Sequence, residues 1–169
     1  MIDAVGVTVP VHDEAQLLPR CLAALPGDRG RIWLATTDAD SEVPPDWLVA
    51  QLQLARDGAE AVAGTIQVAD WDGYPIGSGE RFLQLYEPSG SGDGHDHVHG
   101  ANLGVRADAY LAAGGFAPLI TGEDHAMWRA LRARPRVASR GLAVTTSARR
   151  RARAPDGFSS FLRAFTDGK

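Results

Sequence analysis

Three short apolar runs constrain this chain more than any other feature. They are "AVGVTVPV" (Ala4–Val11), "RIWLATT" (Arg31–Thr37) and "AEAVAGTIQV" (Ala59–Val68). Each is rich in β-branched residues and reads as a buried strand. Between the first two, Leu18, Cys21, Leu22 and Leu25 have helical spacing, and Pro19 sets the start of the regular helix. Between the second and third, "PPDWLVAQLQLARDG" has prolines at a helix start and Gly58 at its end. The order β-α-β-α-β predicts a parallel or mixed sheet with helices on both faces, an α/β fold. Ligands of such sheets bind beyond the carboxyl ends of the strands. Asp38 and Asp40 stand at one such end, and the His12–Glu14 turn at another.

The second half is less regular. "GERFLQLY" (Gly79–Tyr86) predicts a short helix and "PSGSGDG" (Pro88–Gly94) a Gly/Ser-rich loop. "RADAYLAAGGF" (Arg106–Phe116) predicts a helix closed by glycine. "GEDHAMWRALRA" (Gly122–Ala133) predicts a helix with acids in its first turn, and "RVASRGLAVTTSA" one or two late strands. A length of 169 residues suits one domain. The net charge of −4 offers no electrostatic reason to expect nucleic acid. Cys21 is the only cysteine, so no internal disulfide forms, and its leucine neighbours mark it as a small buried hydrophobe. No apolar run approaches the ~20 residues of a transmembrane helix, and no signal peptide is evident. The expected location is cytoplasmic, with peripheral membrane contact left open.

Three groups of residues invite chemistry. Alternation along an extended strand aims Asp38 and Asp40 to one side. Two carboxylates at a strand end suit a hard cation such as Mg2+ or Mn2+, which binds one or two carboxylates together with substrate phosphates. Equally, Asp40 or Ser41 suits the cap of the following helix. Glu123 and Asp124 sit at a helix N-terminus, where the dipole favours their ionised form. An ionised carboxylate there either accepts a proton from a hydroxyl nucleophile or simply caps the helix. His95, His97 and His99 alternate, which puts their imidazoles on one face of an extended segment. That pattern admits a metal-dependent hydrolase, since imidazole suits zinc, iron and nickel. No H-E-x-x-H pattern accompanies it.

Taken together, four segments resemble family 2 glycosyltransferases of the GT-A fold. "VTVPVHDEAQLLPRCLAAL" is similar to the family's opening strand and helix, and "ATTDADSEVPPDWL" to its DxD strand. "HVHGANLGVRADAYLAAGGF" is similar to its acceptor-side segment and "TGEDHAMWRAL" to its G-E-D helix. The resemblance implies transfer of a sugar from a nucleotide-diphosphate donor to an acceptor hydroxyl, inverting and metal-dependent. It implies a mixed, mainly parallel sheet, with residues 1–68 binding nucleotide and metal and residues 69–169 facing the acceptor. Asp38 and Asp40 match the metal and diphosphate ligands. Pro10, His12, Asp13 and Glu14 match the nucleotide-contacting turn. Asp124 matches the general base and Glu123 its neighbour. Gly100, Ala101 and Asn102 match the lining of the donor-sugar or acceptor region. By analogy the Arg149–Arg151 run, Arg149 and Arg150 foremost, closes over the diphosphate.

The chain departs from the family pattern in one respect. Only "PGDRGR" separates Leu25 from Ile32, where members usually place a further strand and helix carrying a base-contacting aspartate. The chain reads as an internally shortened member whose sheet lacks a neighbour for one strand. An edge left in this way makes a homodimer a natural expectation. The alternative to an active transferase is a non-catalytic remnant that binds a sugar nucleotide or a protein partner.

Overall fold

The computed structural model describes residues 4–8, 28–86, 95, 97–149 and 158–167. The helix expected from Pro19, Cys21 within it and the Pro88–Gly94 loop lie outside the described residues. The elements in chain order are β1 (Ala4–Thr8), a 3-10 turn (Arg29–Arg31), β2 (Ile32–Thr36), β3 (Ser41–Glu42), α1 (Trp47–Arg56), β4 (Ala61–Val68) and α2 (Ser78–Tyr86). A second 3-10 turn (Gly100–Asn102), β5 (Leu103–Arg106), α3 (Ala107–Ala112), α4 (Glu123–Ala130), β6 (Arg136–Thr146) and α5 (Phe158–Asp167) follow.

The six strands among the described residues form one sheet in the order β1-β2-β5-β4-β6-β3. β1 pairs parallel to β2 and β4 parallel to β6. β5 runs antiparallel between β2 and β4, and β3 runs antiparallel on β6. Four strands therefore point one way and two the other, the mixed α/β sheet expected. The strand β5 is a departure: its four residues stand where the sequence suggested only the approach to a helix. Its "LGVR" is too short to show alternation, and its first three residues are buried. The helix read over Arg106–Phe116 shrinks to α3, and α4 ends three residues before Ala133. The late strands are one strand of 11 residues. α5 was not anticipated.

Pleating explains both layers. On β2, Ile32 and Leu34 point to one face, and Trp33 and Ala35 to the other. The first face packs with Leu103, Val105, Tyr110, Met127 and Leu131, beneath α3 and α4. The second packs with Trp47, Ile66, Leu142 and Val144, beneath α1. A strand covered on both sides reads as a continuous apolar run, and all five residues of β2 are buried. A third cluster, Phe82, Ala148 and Leu162, ties α2 to α5. Among the described residues β1 has a neighbour on one side only, so it is an edge strand.

The β4–β6 ladder breaks register once. Gly64 pairs with Ser139, but Thr65 pairs with Ala143. At this break Asn102 Nδ2 donates to Thr65 O at 2.8 Å and to Leu142 O at 2.9 Å. Its Oδ1 accepts from Trp47 Nε1 at 2.8 Å. One buried amide thus bridges β4, β6 and α1. It leaves no room for a side chain at residue 64: a Cβ there would collide with Asn102 Nδ2 and Leu142 O.

Candidate functional site

β2 ends at Thr36, and the chain then turns. Ser41 N donates to Asp38 O at 3.0 Å, which closes a turn over Asp38–Ser41. The turn leads into β3, where Ser41 pairs with Thr146 and Ser41 Oγ meets Thr146 Oγ1 at 3.0 Å. Neither Asp40 nor Ser41 caps α1, whose N-cap position is Asp46. The pairing of β3 with the end of β6 also brings the segment after β6 alongside the turn. Arg149 Nη1 lies 2.6 Å from Asp40 Oδ2 as a result.

A second segment joins from the other side. Thr36 Oγ1 donates to Gly100 O at 2.7 Å and lies 3.2 Å from Leu103 O. Gly100 N in turn donates to Asp124 Oδ2 at 2.9 Å. Asp124 Oδ1 accepts from His125 N at 2.6 Å. These links run from the end of β2 through the Gly100 turn to the first turn of α4. Gly122, just before it, has a φ of 78°, a left-handed conformation that admits glycine at no steric penalty. The polar Thr36 closing an apolar run was the overlooked signal for this bracket.

Asp38 registers the convergence electrostatically. Its pKa is raised above 3.8, first by burial and then by the charge of Asp40. Arg149 opposes the rise, while Asp124 and Glu123 add to it. Asp38 nevertheless keeps surface open to solvent, so its burial is partial and the neighbouring charges act on it through a screened surface. Asp38, Asp40, Glu123, Asp124 and Arg149 therefore share one electrostatic environment, and Gly100 is hydrogen-bonded into it. Ala101 and Asn102 do not line the crevice. They are only 6% and 1% exposed, and Asn102 holds the sheet together from behind. Pro10, His12, Asp13, Glu14 and Arg150 lie outside the described residues.

The histidines do share a face. The rings of His95 and His97, and of His97 and His99, are stacked with centroids 6.1 Å apart. The Nε2 atoms of His97 and His99 serve the protein. His97 Nε2 lies 3.0 Å from Tyr86 O, and His99 Nε2 lies 2.7 Å from Tyr86 Oη. Tyr86 also stacks on His97 with centroids 4.0 Å apart. Ile66 N donates to the same Tyr86 oxygen at 3.1 Å, so the hydroxyl proton is free to go to His99. Burial, and then His97, His125 and His95, push the pKa of His99 down to about 3. Burial pushes Tyr86 up to about 12. Both are neutral at physiological pH. His95 is buried, with neither ring nitrogen in hydrogen-bonding geometry, although the backbone of Ser139 and Ala63 lies close. Burial lowers its pKa as well. A packed ladder of this kind is a wall of the fold, and among the described residues no three His, Cys, Asp or Glu side chains cluster to hold a metal.

The turn-borne pair Asp38 and Asp40 presents hard oxygen donors. Two carboxylates complemented by substrate phosphates are a fitting set for Mg2+ or Mn2+. Among the described residues no helix is long and apolar enough to cross a membrane. No curated protein matches the chain. The model of Glycosyl transferase family 2 matches residues 26–112, which take in Asp38, Asp40, Gly100 and the β2–β5 core of the sheet. That range is just over half of the 169 residues, and the chain belongs to glycosyl transferase family 2.

Proposed function

We propose that this protein transfers a sugar from a nucleoside-diphosphate donor to an acceptor hydroxyl with inversion, using a divalent cation. The observation that carries the reading is the shared environment of Asp38, Asp40, Glu123 and Asp124 at the carboxyl end of β2. Asp38 and Asp40 would hold the cation, which would supply charge stabilisation to the departing diphosphate. Asp124 is the base. Its two oxygens each take one backbone N–H, from His125 and Gly100, which fixes the carboxylate plane. A carboxylate has about four acceptor sites, so lone pairs remain for the acceptor hydroxyl. Glu123 flanks it. Gly100 positions the base through its backbone N–H. Pro10, His12, Asp13 and Glu14 contact the nucleotide, and Arg149 with Arg150 meets the diphosphate. A single base and direct attack at the anomeric carbon invert the configuration.

The test is Asp124→Asn. Donor binding, followed as the rise in melting temperature with Mn2+ and UDP or GDP, should persist. Transfer should fall by at least about a hundredfold, the usual contribution of a general base. Full turnover by this variant would remove Asp124 from the mechanism. No melting shift with any nucleoside diphosphate and Mn2+ would remove the donor.

A further inference from the structure

Arg149 is half-engaged. One arm of its guanidinium, Nη1, meets Asp40 Oδ2 at 2.6 Å. Its Nε is buried with no hydrogen-bond partner. The two side chains keep 33% and 26% of their surface, so the pair is open to exchange. A guanidinium with an idle Nε fits a bidentate phosphate acceptor better than one carboxylate oxygen. The backbone around it is pinned. Ser41 pairs with Thr146, and Arg149 N donates to Ser147 Oγ at 3.2 Å. A change of partner therefore needs only the side chain to swing.

We propose that Arg149 is an exchangeable counter-ion: it neutralises Asp40 in the ligand-free protein and turns to the donor's diphosphate when a divalent cation takes Asp40. The proposal rests on the metal–diphosphate reading of this crevice. Its consequence is a coupling between two ligands. A cation arriving alone must displace a guanidinium and then sit beside an unpaired positive charge. A cation arriving with a diphosphate brings the acceptor that receives Arg149. The cation alone binds weakly, and the two bind with positive cooperativity, which linkage makes reciprocal.

Binding of Mn2+ alone, read from the loss of the free-ion electron paramagnetic resonance signal, tests this without any turnover. Arg149→Gln should bind Mn2+ about two- to fivefold more tightly than the unaltered chain, the range for a part-exposed ion pair. Arg149→Lys keeps the charge and should stay near the unaltered value. Arg132→Gln makes the same change of charge on an exposed turn and should leave the affinity unchanged. Asp40→Asn should lose the binding. Equal affinity in Arg149→Gln and the unaltered chain overturns the exchange and leaves the metal reading intact. An equal gain in Arg132→Gln also overturns it, as a general charge effect. No Mn2+ binding by any of the chains overturns both.

Discussion

Replacing Asn102 by alanine separates a structural role from a ligand-binding one. The side chain is 1% exposed and makes three hydrogen bonds of 2.8, 2.9 and 2.8 Å. Alanine leaves the buried indole N–H of Trp47 without its acceptor, which costs about 1–3 kcal/mol. Thr65 O and Leu142 O lose a donor at the register break, at about 0.5–1.5 kcal/mol each. A total near 4 kcal/mol is a large share of the ~5–15 kcal/mol that holds a domain together. With a urea slope of about 2 kcal/mol/M, the midpoint should fall by about 2 M. The assay is equilibrium urea unfolding followed by tryptophan fluorescence and far-ultraviolet circular dichroism. Trp47→Phe removes the stranded N–H. In the double variant its added effect should be about 1 kcal/mol smaller than alone, because the two residues share a bond. If Asn102→Ala keeps its urea midpoint but loses nucleotide binding, the bracket assignment is wrong and Asn102 belongs to the crevice.

Three further outcomes follow from the same geometry. Gly64→Ala drives a Cβ into Asn102 and the Leu142 carbonyl, and should destabilise by about 2 kcal/mol or more; a neutral urea midpoint would contradict the close packing. The raised pKa of Asp38 means its neutral form suits the fold, so that contribution is present below 3.8 and lost as pH rises through the folded value. Asp38→Asn should accordingly raise the ligand-free melting temperature at pH 7 by about 1–2 °C, a screened repulsion of about half a kcal/mol, and the gain should close toward acid; a lower melting temperature would refute it. His99 is depressed from 6.5 to about 3, so its contribution is full above 6.5 and lost as pH falls toward 3. Stability should drop by up to about 1.4 kcal/mol per pH unit below 6.5, and a melting series of His99→Gln should show a shallower slope.

How much of this was legible in the sequence depended on range. β2 and β4 were visible because strands buried on both faces read as nearly continuous apolar runs, and Ile32–Ala35 needs no partner to show that. α1 was visible from its prolines and Gly58. β5 was not, since four residues carry no periodicity and its place between β2 and β4 is set by pairing. Asp38 and Asp40 stood out as a motif, yet the same letters suit a helix cap. Their role as a turn beside Arg149 depends on β3 pairing with β6, a contact between residues 41 and 146.

The sequence by itself determined an α/β chain, its family and the carboxylates that could do chemistry, because local pattern and motif order are written along the chain. Only the tertiary structure decided which of those residues meet. It joined Asp124 to the end of β2 through Gly100 and Thr36, and gave Asp40 an arginine partner. It withdrew Asn102 into the core and packed His97 and His99 of the histidine ladder against Tyr86. Each of these is a hydrogen bond or ion pair between distant segments. Such contacts form only once both faces of the sheet are covered and the strands have found their register.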